Sequence, residues 1–100
     1  MKAYKNTGAW GGHILEVGGT KIQFNDGSLH ETIESLDQAS RYRIEKNVGG
    51  TAIKGDSNSV YLDDTQDNIK LTNREAREAA ETLKEYALKQ VAAMEAAKKL

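Results

Sequence analysis

The spacing of apolar positions divides the chain into a strand-rich part and a helical part. In residues 1–72, short apolar runs alternate with polar positions, and all nine glycines of the chain lie there. In residues 73–100 there is no glycine, and 22 of these 28 residues are Ala, Glu, Lys, Leu or Arg, the strongest helix formers. The pattern predicts a single α+β domain with a core of antiparallel β-hairpins, followed by one long C-terminal helix used in self-association.

Two Gly-Gly pairs predict the turns of two β-hairpins, because glycine takes the positive φ angles that two-residue turns require. A turn at Gly18-Gly19 aligns the runs H-I-L-E-V and T-K-I-Q-F, and Gly49-Gly50 aligns a second pair of strands that opens at Arg41. In this register one face of the first hairpin is apolar and opposite charges lie across from each other. The predicted partners are Val17 with Thr20, Glu16 with Lys21, Leu15 with Ile22, His13 with Phe24, Val48 with Thr51, and Glu45 with Lys54.

Further short elements complete the first part of the chain. Residues 2–6, 60–62 and 69–71 have the alternation of strands. Leu29, Ile33 and Leu36 recur at helical spacing, so residues 29–39 are predicted as a short amphipathic helix. A strand stays open as an alternative there, because Thr32 and Ile33 are β-branched.

Both predicted helices begin with the residues of a capping box, in which a hydroxyl and a carboxylate three residues later each satisfy an exposed backbone N–H. Ser28 and Glu31 have this spacing before the short helix, and Thr72 and Glu75 have it before the long one. These pairs predict where the two helices start.

The long helix is too long for a small domain to cover. At 1.5 Å per residue it would extend over about 40 Å, compared with about 25 Å for the diameter of a 100-residue domain. Its first part, through Leu88, has enough apolar side chains to cover the hairpins of its own chain, whereas from Gln90 on it favours a partner helix. The alternative is that the whole helix covers its own sheet. The candidate residues of an oligomer interface are Leu83, Tyr86, Ala87, Val91 and Met94.

Composition argues against several classes of function and indicates the cellular compartment in which the protein is found. A net charge of −1 argues against general nucleic-acid binding, which requires many neutralised phosphates. The chain has no cysteine, and therefore neither a disulfide framework nor a thiolate metal site. The N-terminal residues lack the apolar run of a signal peptide, and no apolar stretch is long enough to span a membrane. A cytoplasmic protein is expected, in the host cytoplasm if it is encoded by a phage.

One cluster of residues suggests a binding site for a small anionic, nucleotide-like ligand. Trp10, three residues before His13 in a glycine-rich loop, would offer a stacking surface. Arg41 and Arg43 would supply guanidinium groups, which bind carboxylates and phosphates through two hydrogen bonds. The structural alternative is a core tryptophan at the end of a sheet and arginines on a solvated strand face.

No pattern of catalytic residues is visible in the sequence. His13 and His30 are the only histidines, and no serine lies in a nucleophile motif. Residues 63–68 are acidic enough for a calcium loop, but Ile69 occupies the position that requires glycine. We therefore expect no metal, no cofactor and no enzymatic activity.

These observations favour a homo-oligomeric binding protein that acts by protein–protein contact, as an inhibitor or a scaffold. The alternative is an oligomer that binds or sequesters a small anionic ligand in a pocket between subunits. Small cysteine-free chains of this kind are frequent among phage accessory and counter-defence proteins, which makes that origin a hypothesis for this chain.

Overall fold

Seven β-strands and two α-helices follow one another along the described part of the chain. The structure is a computed structural model that describes residues 1–9 and 11–98. Two antiparallel sheets, a short helix and a long C-terminal helix confirm the predicted α+β class. In chain order the elements are β1 (Lys2–Lys5), β2 (His13–Val17), β3 (Thr20–Phe24), α1 (Leu29–Ala39), β4 (Ile44–Val48), β5 (Thr51–Gly55), β6 (Ser59–Asp63), β7 (Asn68–Thr72) and α2 (Asn73–Lys98).

The first sheet has the strand order β1-β2-β3. Its second hairpin has the predicted register, with Leu15 opposite Ile22 and Val17 opposite Thr20. Leu15 and Ile22 are fully buried, and Phe24 on the same face is 1% exposed. The apolar face that the alternation predicted therefore forms one wall of the core.

The second sheet has the order β4-β5-β6-β7, and its first hairpin also has the predicted register. The two glycine turns nevertheless differ in conformation. Gly49 and Gly50, between β4 and β5, both have positive φ, as a type I′ turn requires. Between β2 and β3 only Gly18 has positive φ and Gly19 does not, as in a type II′ turn. Similar turn sequences thus close the two hairpins in different ways.

Hydrogen bonds from the end of β3 join the two sheets. The Asn25 backbone N–H donates to the Gly49 carbonyl over 2.9 Å, and the Thr51 hydroxyl donates to the Gln23 carbonyl over 2.6 Å. The Gln23 backbone N–H donates to the Asp64 carboxylate over 3.0 Å. Three backbone groups at the edge of the first sheet are in this way satisfied by the second.

Helix α1 has the predicted bounds, so the strand alternative for residues 29–39 is wrong. The predicted capping box at its start is also wrong. The Ser28 hydroxyl donates to the Asn25 carbonyl over 2.5 Å instead of capping the helix. The cause is the backbone of Ser28, whose φ of −98° and ψ of 1° lie outside the extended region that a capping residue normally occupies.

The strand predicted to open at Arg41 begins three residues later, at Ile44. The backbone N–H groups of Arg41 and Tyr42 both donate to the Gln38 carbonyl, which continues the hydrogen bonding of the last turn of α1. Because this turn satisfies their N–H groups, Arg41 and Tyr42 are unavailable for strand pairing.

Helix α2 begins with the capping box that the sequence predicted. The Glu75 N–H donates to the Thr72 hydroxyl over 3.1 Å, and the Thr72 N–H donates to the Glu75 carboxylate over 3.0 Å. The helix then packs across the core formed by both sheets and α1. Its side chains in this core are Ala76, Ala79, Ala80, Leu83 and Tyr86.

The second part of α2 extends away from the rest of the protein. The 26 residues of the helix extend over about 39 Å, and the molecule measures 47 × 26 × 22 Å. Residues 88–97, which we call the distal segment, are all exposed.

Candidate functional site

An apolar groove of about 600 Å³ lies between α1 and α2. Helix α1 lines it with Leu29 and Ile33, and α2 lines it with Ala80 and Ala87. The small alanine side chains leave space along α2 that a side chain of another molecule would fill. The groove therefore offers an apolar surface bounded by two helices, the geometry that accepts a third helix.

The groove continues onto three large apolar side chains of the distal segment. Leu88 is 65% exposed, Val91 is 52% exposed and Met94 is 61% exposed, and all three line the groove. Scattered apolar residues are ordinary on a protein surface, but a contiguous group beside an apolar groove is typical of an interaction site.

Charged side chains form the rim of the groove. Glu34 and Asp37 line it from α1, and Glu81 and Lys84 line it from α2. Lys84 lies 3.8 Å from Glu81, and both side chains are more than half exposed. An exposed ion pair of this kind contributes little free energy, so Lys84 is free to leave Glu81 and form an ion pair with another carboxylate.

The five predicted interface residues fall into two groups in the structure. Leu83 is fully buried in the chain's own core, and Tyr86 is 8% exposed and also packs inward. Ala87 is half-buried in the groove, whereas Val91 and Met94 lie on its exposed part. Within the described part of α2, the exposed large apolar side chains thus begin after Tyr86, at Leu88.

Leu88 was assigned from the sequence to the part of α2 that covers the hairpins, and this prediction is wrong. Its side chain points away from the sheets because Leu83 and Tyr86 set the buried face of the helix, and Leu88 lies outside that face. The signal that marks Leu88 is its position three residues before Val91, which places both side chains on one face.

Of the four predicted ligand-binding residues, the structure describes His13, Arg41 and Arg43, which lie in two different parts of the fold. Trp10 lies outside the described residues. Arg41 follows α1 and lies 3.4 Å from the Asp37 carboxylate, one helical turn away. Arg43 is exposed in the same connection, whereas His13 lies on β2, and none of these three lines the groove. A ligand pocket formed by these residues stays a prediction.

His13 instead belongs to a hydrogen-bonded group that fixes α2 on the first sheet. Its Nδ1 atom lies 2.7 Å from the Tyr86 hydroxyl, and its Nε2 atom lies 3.6 Å from the Asp26 carboxylate. The order hydroxyl, imidazole, carboxylate resembles a nucleophile with its base. However, burial raises the pKa of Tyr86, and the negative charge of Asp26 raises it further. Both effects disfavour the tyrosinate form, and the contact itself ties α2 to the first sheet.

The acidic loop between β6 and β7 also has a structural role. One Asp64 carboxylate oxygen accepts the backbone N–H groups of Gln66 and Asp67, and the other accepts the N–H of Gln23. The carboxylate thus holds its own turn and the edge of the first sheet. Within residues 1–9 and 11–98, no group of three or more His, Cys, Asp or Glu side chains is placed to bind a metal ion.

Comparison of the chain with protein-family models, with curated proteins and with solved structures found no match. None of the helices in the described part of the chain is both long enough and apolar enough to cross a membrane.

Proposed function

We propose that this protein is a non-enzymatic, homo-oligomeric interaction protein that acts by protein–protein contact through the α1–α2 groove and the distal segment. The observation that carries the proposal is the exposure of Leu88, Val91 and Met94 beside that groove. Such a surface suits a scaffold protein or an inhibitor that binds a larger protein.

A single chain leaves the apolar side chains of the distal segment in contact with water. Fully burying a Leu, Val or Met side chain contributes about 1.5–3 kcal/mol. Each of these three side chains is more than half exposed. Pairing of two copies would cover all three side chains on both copies. Association therefore recovers burial that one chain of 100 residues does not supply by itself.

The first test compares two glutamate substitutions on opposite faces of the distal segment. Val91→Glu places a charge in the apolar surface, whereas Ala93→Glu places the same charge about 160° around the helix, at an exposed position. We expect the mass measured by light scattering between micromolar and millimolar concentration to show dimers for the wild type and Ala93→Glu. For Val91→Glu we expect at least tenfold weaker association.

Circular dichroism of each variant controls for folding, since both substitutions lie at exposed helical positions. A wild type that stays monomeric up to millimolar concentration would contradict the proposal. Equal weakening by both substitutions would mean that net charge, and not the groove, controls association.

A further inference from the structure

One face of α2 carries a pattern of charges that distinguishes parallel from antiparallel pairing of two copies, and all of its residues except Glu95 line the groove. Lys84, Leu88, Val91 and Glu95 follow one another at steps of four, three and four residues. This is the spacing of the inward positions of a coiled coil, and all four residues are exposed. Two apolar positions thus lie between a cation at one end and an anion at the other.

The orientation of a partner helix decides which of these residues face each other. In an antiparallel pair centred between Lys89 and Gln90, Leu88 lies opposite the partner copy's Val91, and Lys84 lies opposite the partner copy's Glu95. In a parallel pair in register, each charged residue would instead lie opposite the same residue of the other copy. The antiparallel pair therefore combines apolar with apolar and cation with anion, and the parallel pair repels at both ends.

The antiparallel arrangement also fits the groove. Met94 of one copy comes to the level of residue 85 of the other, two residues before Ala87, whose small side chain leaves space in the groove beside Leu29 and Ile33 of α1. Because the two globular parts then lie at opposite ends of the paired helices, each copy offers its distal segment to the groove of the other. The contact is the same on both sides, as a two-fold symmetric dimer requires.

We infer that two copies of the chain form an antiparallel dimer in which the distal segment of each lies in the α1–α2 groove of the other. The inference rests on the proposed function, and it identifies a second copy of this chain as the molecule that occupies the groove.

Disulfide formation tests the geometry directly, because the chain contains no cysteine of its own. The variants Lys84→Cys and Glu95→Cys are mixed in equal amounts and oxidised, and covalent dimers are identified by mass. In the antiparallel dimer, position 84 of one copy lies beside position 95 of the other, whereas the two copies of position 84 are separated by about 16 Å along the helix. We expect the mixed disulfide to form at least tenfold faster than either disulfide between identical chains.

Lys84→Cys mixed with Ala93→Cys gives the rate of random collision, since position 93 lies on the opposite face of the helix. Preferred disulfides between identical chains would overturn the inference in favour of parallel pairing. A mixed disulfide no faster than the collision control would overturn it as well. In either case light scattering of the wild type decides the proposed function separately, since dimers there would show that the copies associate through another geometry.

Discussion

Tyr86 and His13 join α2 to the first sheet through a side-chain hydrogen bond of 2.7 Å, with both side chains largely buried. Removing the hydroxyl leaves the His13 Nδ1 atom without this partner in a place that water reaches poorly. We expect Tyr86→Phe to lower the free energy of unfolding by about 1–2 kcal/mol, measured by urea denaturation. Tyr42→Phe is the matched control, because Tyr42 is 63% exposed, and we expect a change below about 0.5 kcal/mol.

The same substitution has a signature in the pH dependence of stability. The pKa of Tyr86 is raised in the folded state, mainly by burial and further by Asp26. The folded chain therefore keeps this proton to higher pH than the unfolded chain does, and the free energy of unfolding falls as the pH rises above about 10. We expect this part of the alkaline decline to be absent in Tyr86→Phe and present in Tyr42→Phe. If the free energy of unfolding fell in the same way with rising alkaline pH in both variants, the assignment of this decline to Tyr86 would be contradicted.

At the scale of elements, strand β5 meets the C-terminal end of α1 at a residue that has no side chain. A Cβ atom at Gly55 would overlap the carbonyl oxygens of Ala39 and Tyr42, whereas one at Gly19 would meet no atom of the described residues within 4 Å. We expect Gly55→Ala to lower the free energy of unfolding by about 1–3 kcal/mol, because the helix end must move away from the sheet. We expect Gly19→Ala to leave stability unchanged or to raise it by up to about 1 kcal/mol. Urea denaturation measures both, and a similar loss in the two variants would show that the contact at Gly55 is not tight.

The registers of both glycine hairpins were predictable because turn length and side-chain pairing point to the same alignment. Helix starts were less predictable, although Ser28 and Thr72 occur in the same sequence spacing. Thr72 caps its helix, whereas the Ser28 hydroxyl reaches the nearer Asn25 carbonyl of the preceding turn. A capping motif specifies the groups that can pair, and the backbone conformation before the helix decides whether they do.

At the scale of the whole molecule, the length of α2 predicted an extension beyond the core, and the structure has one. The sequence did not separate the side chains of α2 that face the core from those that stay exposed. Leu83 and Leu88 are equivalent as helix residues, and only the packing of α2 on the sheets buries one and exposes the other. The groove was not predictable either, since it requires α1 and α2 to lie side by side.

The measurement that tests self-association through the α1–α2 groove most directly is sedimentation equilibrium of three chains. These are the wild type, Lys84→Glu, and the double variant Lys84→Glu with Glu95→Lys. In an antiparallel dimer the single variant places like charges opposite each other twice, and the double variant restores opposite charges in exchanged positions. We expect the dimer dissociation constant to rise at least fivefold in the single variant and to return to within about twofold of the wild type in the double variant, with the differences shrinking at high salt. A monomeric wild type, or a double variant no tighter than the single one, would contradict this mode of assembly.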